Sequence, residues 1–264
     1  MKTQHINKPR VLCFSGLDPS GGAGIQADIE ALFSAGCHCL PVITSLTVQD
    51  TRNVIAAEPV SPALLIQQAR AILEDLSVDA IKIGLLGSVQ TIEVVHTLLK
   101  DYPRIPVILD PILWAGGGYA FSQDDIAGAM KSLLLPLTSV LTPNTNELQA
   151  LCRDADSLDA GANELLELGC QHILLTGTHA DSPRVINRLY TAHRPPQVFE
   201  WPRLPHEYHG SGCTLAASLA AYLAHGFEVT EAARRAQQYT WESLQAGTRP
   251  GFGQYLPDRS YWNL

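Results

Sequence analysis

The sequence has few of the features that mark membrane, secreted or nucleic-acid-binding proteins. It contains no run of about 18 apolar residues, and residues 1–10 are polar without a hydrophobic segment, so membrane insertion and secretion lack support. Its 18 Lys and Arg are outnumbered by 26 Asp and Glu, and the basic residues are scattered rather than gathered into a stripe. These absences predict a cytoplasmic protein that binds neither nucleic acid nor a membrane.

The six cysteines also lack the CxxC spacing of metal and redox sites, and four of them lie within apolar runs. They are therefore predicted to be free thiols. The segment Cys37-His38-Cys39 has metal-binding residue types, but alternate side chains of an extended segment point to opposite faces, which disfavours a zinc site.

Apolar segments rich in β-forming residues alternate with segments of helical spacing along most of the chain. The predicted strands are Val11–Ser15, Leu40–Val48, Ala80–Leu85, Pro106–Leu109, Ser139–Thr142 and His172–Thr176. The predicted helices are 24–36, 62–76, 88–100, 123–135, 144–152, 158–168, Ser211–His225 and Val229–Ala246. Val185–Thr191 and Gln197–Trp201 interrupt this alternation and predict an edge hairpin. The pattern predicts a single α/β domain over residues 1–264, with a mainly parallel sheet covered by helices on both faces.

The most informative segment is His209–Ala217, which places Gly210, Ser211 and Gly212 at the start of an Ala/Leu-rich helix. Glycines allow close backbone approach to a ligand, and the free N–H groups of a first helical turn attract anions such as phosphate. A plain glycine turn with Ser211 as N-cap explains the same segment equally well.

Further candidate residues follow the predicted strands, where ligands of parallel sheets bind. The glycine loop, residues 15–24, fits neither the P-loop nor the dinucleotide-binding pattern, and a substrate-enclosing role is more consistent with it. Asp28 lies in the next helix, where it could instead favour the helix N-terminus electrostatically. The Gln49 amide could hydrogen-bond a heterocycle, although its position taken alone favours an ordinary loop amide at the end of a strand.

Two carboxylates follow later strands of the same predicted sheet. Asp110 and Glu147 could share a Mg²⁺ ion, which keeps most of its waters and takes one or two protein oxygens. The alternative is structural, because Asn144 followed three residues later by Glu147 is nearly a helix capping box.

Several motifs occur together in the order found in one known family. They are Ser15-Gly-x-Asp-Pro-Ser-Gly-Gly-Ala-Gly-Ile-Gln-Ala-Asp28, Val42-Ile-Thr-Ser-Leu-Thr-Val-Gln-Asp-Thr51, Lys82-Ile-Gly-Leu-Leu86, Leu109-Asp-Pro111, Thr142-Pro-Asn-x-x-Glu147 and His209-Gly-Ser-Gly-Cys-Thr214. From about residue 11 to 256, the chain resembles the bacterial hydroxymethylpyrimidine and phosphomethylpyrimidine kinases of thiamine biosynthesis, members of the ribokinase-like superfamily. The resemblance implies a three-layer α/β/α fold, a homodimer, and ATP with Mg²⁺ as cofactors, and it leaves a monovalent cation open.

The resemblance also implies an activity and roles for named residues. The activity is phosphorylation of 4-amino-5-hydroxymethyl-2-methylpyrimidine and then of its monophosphate. Six residues would line the pyrimidine pocket: Gly16, Ala23, Asp28, Thr47, Gln49 and Leu85. Gly210, Ser211 and Gly212 would hold the transferring phosphate, and Thr176, Gly177 and Asn144 would contact the nucleotide. Glu147 and Asp110 would serve Mg²⁺.

Cys213 occupies the position where the wider superfamily has an Asp general base. Its location at a helix N-terminus predicts a depressed thiol pKa and a role as the base. A small residue kept for close packing against phosphate is the alternative.

The chain departs from the family pattern at two positions. Thr176-Gly-Thr-His179 replaces the usual Lys-Gly-Gly-His, which removes a cation expected near the nucleotide phosphates, and Leu85 replaces the usual Met with a similar volume. Two other functions compete with the pyrimidine kinase. They are a pyridoxal kinase of the same superfamily and a catalytically silent protein that senses the pyrimidine.

Overall fold

The structure is a computed structural model, and it describes residues 8–114, 124–177 and 182–262. Its strands are β1 (Arg10–Leu17), β2 (His38–Gln49), β3 (Val54–Pro59), β4 (Ala80–Ile83), β5 (Val107–Leu109), β6 (Val140–Leu141), β7 (His172–Leu175), β8 (Arg184–Thr191) and β9 (Arg194–Pro202). Its α-helices are α1 (Gly24–Ser34), α2 (Pro62–Asp75), α3 (Val89–Asp101), α4 (Asp124–Ala129), α5 (Thr145–Leu151), α6 (Leu158–Glu167), α7 (Ser211–Ala224) and α8 (Val229–Gln245).

The nine described strands form one sheet in the order β3-β2-β1-β4-β5-β6-β7-β8-β9. Strands β2, β1, β4, β5, β6 and β7 pair in parallel, as predicted. The predicted edge hairpin is confirmed, because β8 pairs antiparallel with both β7 and β9. Strand β3 was not predicted, and it pairs antiparallel with β2 at the opposite edge.

Helices cover both faces of the sheet and give it three layers. Helices α2 to α6 bury mainly Leu, Ile and Val side chains against one face. Helices α1, α7 and α8 pack on the other face, where many of the buried residues are alanines. Helix α7 contacts the central strands β1, β4 and β5, so its first turn lies near the middle of the sheet. The predicted three-layer α/β architecture is confirmed.

Serine side chains fix the start of several helices. Ser61, Ser88 and Ser157 each accept a hydrogen bond from a backbone N–H in the first turn of α2, α3 or α6. The helix predicted over 123–135 is only partly regular. After α4 it continues as a π-helical turn, Met130–Leu134, and a 3₁₀ turn that contains Pro136, because proline cannot donate the backbone bond of a regular helix.

No helix in the described part of the chain is long and apolar enough to span a membrane. All six cysteines are free thiols, as the sequence predicted.

Candidate active site

A cavity of about 910 Å³ opens at the carboxyl ends of the parallel strands, where the sheet topology predicts a ligand site. Thirteen of the predicted site residues line it, namely Gly16, Ala23, Thr47, Gln49, Leu85, Asp110, Asn144, Glu147, Thr176, Gly210, Ser211, Gly212 and Cys213. The fold therefore brings together residues that are spread over almost 200 positions of the sequence. Asp28 and Gly177 are not part of the lining.

The α7 turn, residues 210–212, faces this cavity with its backbone exposed to a ligand. Gly210 is the N-cap and has a φ of 78°, a left-handed conformation that favours glycine. Among the described residues no side chain caps this helix, so Ser211 is not the N-cap that the alternative interpretation required. The first N–H groups of α7 are thus open donors in a cavity, which fits an anion better than a plain turn does.

Helix α5 begins at the same cavity and is capped. Glu147 N–H donates to Asn144 Oδ1 over 3.0 Å, and Asn144 N–H donates to Glu147 Oε2 over 2.9 Å. The capping box proposed from the sequence is confirmed. It does not exclude a metal role, because a carboxylate that accepts N–H groups from Asn144 and Leu113 keeps further lone pairs.

Glu147 and Asp110 are buried carboxylates that repel each other. Burial and the neighbouring Asp110 raise the pKa of Glu147 to about 8. Burial raises the pKa of Asp110 to about 6, although Lys82 opposes this shift. A cation bound by both carboxyl groups would stabilise their ionised forms, which burial and mutual repulsion otherwise disfavour.

The environment of Cys213 differs from the one that the sequence predicted. Burial raises the pKa of its thiol to about 11, and the opposing effect of Lys82 is smaller. The predicted depressed pKa is therefore wrong, because loss of solvent around the thiol outweighs the favourable helix N-terminus. At neutral pH this side chain is a thiol and a weak base.

Asp28 also differs from its prediction as a pocket residue. It is fully buried in α1, and its carboxylate lies 2.9 Å from Lys82 Nζ, which is equally buried in β4. Ser15 in β1 donates to the same carboxylate. Burial acts to lower the pKa of Lys82, but Asp28 outweighs it and the lysine pKa lies above its usual value. Asp28 thus neutralises a buried lysine behind the cavity wall.

Gly177, predicted to contact the nucleotide, lies one residue beyond the cavity lining. Its N–H donates to Asn187 Oδ1 over 2.9 Å, and Asn187 Nδ2 donates to Gln237 Oε1 over 2.8 Å. Trp201 Nε1 donates to the same Gln237 oxygen over 3.1 Å. This buried network holds the backbone that follows β7. Thr178 and His179, the rest of the altered motif, lie outside the described residues.

The sequence reasoning missed the pairing of Asp18 with His209. His209 Nε2 lies 2.8 Å from Asp18 Oδ2, and both residues line the cavity. Burial raises the pKa of Asp18, but the hydrogen bonds from His209 and Ser20 outweigh it and the pKa lies below its usual value. The pair ties the glycine loop to the segment before α7. Both residues stood inside quoted motifs, but no local pattern links positions so far apart.

Comparisons with known proteins give matches over most of the chain. Residues 18–257 match the family model described as phosphomethylpyrimidine kinase. The hydroxymethylpyrimidine/phosphomethylpyrimidine kinase of Streptomyces coelicolor is 33% identical over 256 residues, covering 95% of this chain and 94% of the relative. The bifunctional thiamine biosynthesis protein ThiED of Geobacter sulfurreducens is 36% identical over 251 residues. That alignment covers 92% of this chain, which spans only 50% of the longer relative.

Solved structures show the same fold. The ADP complex of Bacillus subtilis pyridoxal kinase superposes with a TM-score of 0.88 at 27% identity, covering 97% of this chain and 99% of the neighbour. Phosphomethylpyrimidine kinase from Clostridium difficile 630 superposes with a TM-score of 0.78 at 30% identity, covering 90% and 100%. The predicted ribokinase-like fold is confirmed. On the extent of the family match and of the full-length similarity, the chain belongs to the phosphomethylpyrimidine kinase family.

Proposed function

We propose that the chain is an ATP-dependent kinase that phosphorylates 4-amino-5-hydroxymethyl-2-methylpyrimidine and then its monophosphate. One observation carries the proposal: a single cavity contains both an open helix N-terminus at the α7 turn and a pair of buried carboxylates. The first suits the phosphoryl group and the second suits its cation. Family membership supports the same activity.

In the proposed reaction the hydroxymethyl oxygen attacks the γ-phosphorus of ATP while the bond to the bridging oxygen of ADP breaks. The N–H groups of the α7 turn would hold the transferring phosphoryl oxygens, and Thr47, Gln49 and Ala23 would orient the ring. Such a transfer depends on positioning and charge neutralisation more than on a strong base. A protonated Cys213 is compatible with it, and the alcohol proton leaves to solvent or to the transferred phosphoryl group.

Asp110 and Glu147 would hold Mg²⁺, which supplies neutralisation of the phosphate charge when bound. The donor set fits this ion, because Mg²⁺ prefers oxygen ligands and takes few of them from the protein. Among the described residues there is no cluster of three or more His, Cys, Asp or Glu side chains arranged for a metal. An ion held by these two carboxylates would complete its coordination with water and substrate phosphates. We propose no monovalent-cation site.

Three further expectations join the proposal. One catalytic domain over residues 1–264 is consistent with the single sheet. A homodimer is supported by the β2–β3 edge, where Leu46, Val48 and Ile55 are exposed. A cytoplasmic location is consistent with the composition.

The deciding experiment is mass spectrometry of the products formed from hydroxymethylpyrimidine, Mg²⁺ and ATP. The expected products are the mono- and diphosphate together with ADP. Pyridoxal is tested in parallel, because the TM-score of 0.88 to a pyridoxal kinase makes that alcohol the second candidate substrate. ADP formed only with pyridoxal would assign the second function. Pyrimidine binding without ADP formation would identify a silent sensor.

A further inference from the structure

Arg259 is a buried cation that reaches the cavity wall from the segment after α8. Only 3% of the residue is exposed. Its Nε donates to Thr214 Oγ1 in the first turn of α7 over 2.9 Å, and its Nη2 donates to the Gly22 carbonyl in the glycine loop. Its Nη1 lies 2.9 Å from Glu30 Oε2 in α1. One guanidinium therefore joins three elements that are distant in sequence, which the planar fork of arginine allows.

The guanidinium lies directly behind the α7 turn. A Cβ atom built on Gly210 would stand 1.9 Å from the Gly22 carbonyl oxygen and 2.9 Å from Arg259 Nη2. The glycine at position 210 thus leaves the space through which loop and arginine approach the turn. On its other side, the same turn faces the cavity.

The backbone of Arg259 is held firmly in place. Its carbonyl oxygen accepts hydrogen bonds from Tyr239 Oη in α8 and from Ser34 Oγ in α1. The preceding residue, Asp258, donates its N–H to the Ser243 carbonyl over 2.9 Å. These contacts anchor the arginine independently of its side-chain partners.

The charge of Arg259 is balanced on its outer side. The Glu30 side chain is 40% exposed, so its charge is screened by water, whereas the Arg259 side chain is 2% exposed. On the inner side the guanidinium donates to two neutral groups, a hydroxyl and a carbonyl. Its field therefore extends toward the α7 turn more strongly than that of Glu30 does.

We propose that Arg259 is a positioning residue for phosphate: it holds the glycine loop against the α7 turn and places a buried positive charge behind the open N–H groups. This inference rests on the proposed function for its place in catalysis, but its effect on anion binding can be measured separately. The ligand class is a phosphate or polyphosphate anion.

The test measures binding of inorganic pyrophosphate by calorimetry in the wild type, R259Q, R259K and E30Q. R259Q removes the positive charge. We expect it to weaken pyrophosphate binding at least about tenfold, which is the effect of losing a charge-assisted interaction. R259K keeps the positive charge but lacks the planar set of guanidinium donors, so it should recover part of the lost pyrophosphate affinity. E30Q removes the outer counter-charge and should leave pyrophosphate binding equal or tighter.

A purely structural brace predicts a different pattern. Losing either partner of the Arg259–Glu30 pair would then weaken pyrophosphate alike, and this result would overturn the proposal. A wild type that binds no pyrophosphate would overturn it as well. Melting temperatures are recorded for all variants, and if R259Q does not fold, the comparison still decides, because R259K is expected to bind pyrophosphate more weakly than the wild type and E30Q is not.

Kinetics separate this inference from the proposed function. In an active enzyme, R259Q should lower kcat about tenfold or more while the KM for the pyrimidine changes less than about threefold. Equal changes in both would contradict a role confined to phosphate. If the wild type phosphorylates no alcohol but the pyrophosphate pattern holds, the proposed function fails and the role of Arg259 in anion binding stands.

Discussion

Helices α5 and α7 both begin at the wall of the same cavity, and their first turns differ in what satisfies their backbone N–H groups. In α5 the side chains of Asn144 and Glu147 close a capping box. In α7 the N-cap is a left-handed glycine, and within the described residues no side chain takes its place. One helix start is therefore completed by the protein's own side chains, and the other leaves its N–H groups open toward the cavity.

The two helices tolerate this difference because they are stabilised differently. Helix α5 has seven residues and three of them are buried, so its cap contributes much of its local stability. Helix α7 has 14 residues, and nine of them are buried, mostly small side chains that allow close packing on the sheet. Tertiary packing thus holds α7 in place without a cap.

The largest expected effect comes from blocking the open turn with Gly210→Ala. The new Cβ would collide with the Gly22 carbonyl, and a left-handed alanine costs roughly 1–2 kcal/mol by itself. We expect the melting temperature to fall and kcat to drop on the order of 100-fold, as for loss of preorganised backbone donors. Calorimetry and steady-state kinetics measure both.

Gly212→Ala is the control for stability alone, because its Cβ would meet no backbone atom and only Asp110 oxygens at 3.7 and 3.9 Å, whereas its turnover is expected to fall since the methyl group faces the proposed cation site. Alanine also has a higher helix propensity than glycine, so this variant should keep or raise the melting temperature. Wild-type turnover in Gly210→Ala would show that the open turn is not the phosphate site.

A second prediction separates the two roles of Glu147. Gln can still complete the capping box but is a weaker ligand for a hard cation. We expect Glu147→Gln to keep the melting temperature while the Mg²⁺ requirement rises roughly 10- to 100-fold. Titration of activity with Mg²⁺ measures the effect.

Glu147→Ala provides the contrast, since it also removes the acceptor for the Asn144 N–H, one half of the capping box, and should lower stability by about 1 kcal/mol. A Glu147→Gln protein that melts early yet keeps its wild-type Mg²⁺ dependence would leave the carboxylate with a capping role only.

A third prediction concerns Gln49, which is the last residue of β2 and lines the cavity. Gln49→Ala removes one ring contact, so the KM for the pyrimidine should rise about tenfold, the equivalent of one net hydrogen bond. Binding of ADP, followed by calorimetry, should stay unchanged. Equal weakening of both ligands would contradict the assignment of Gln49 to the pyrimidine.

The smallest expected effect is that of Cys213→Ser. Because the pKa of the thiol is raised to about 11, the wild type contains little thiolate at neutral pH, and serine should keep kcat within about threefold. Iodoacetamide should inactivate the wild type slowly at pH 7 and faster as the pH rises toward that pKa. An alkylation rate that levels off below pH 8 would show a low thiol pKa and support the hypothesis that the Cys213 thiolate is the base.

The parts of the fold that the sequence predicted correctly are those with local patterns. The alternation of buried strands and amphipathic helices identified the parallel sheet, and the two β-rich segments around Ala192 identified the edge hairpin. Strand β3 was not predicted because only Val54 of its six residues is buried, which leaves no hydrophobic pattern. Its pairing with β2 defines it instead.

The site was predictable where a motif carried the chemistry, as in the α7 turn and the Asn144–Glu147 box. It was not predictable where the chemistry depends on burial or on distant partners. Asp28 was predicted to line the pocket, because its motif gives no sign that its partner is Lys82, which lies 54 positions later in the chain. The pKa of Cys213 depends on how much solvent the fold removes. Arg259 has no local signal at all.

The position of Arg259 in the chain has a consequence for biosynthesis. A nascent chain emerges from its N-terminal end, so the glycine loop and α1 are available long before the arginine that braces them. Until residue 259 has been synthesised and its backbone has docked on α1 and α8, no buried guanidinium lies behind the α7 turn. The order of translation therefore delays completion of the proposed phosphate site until residue 259 has docked.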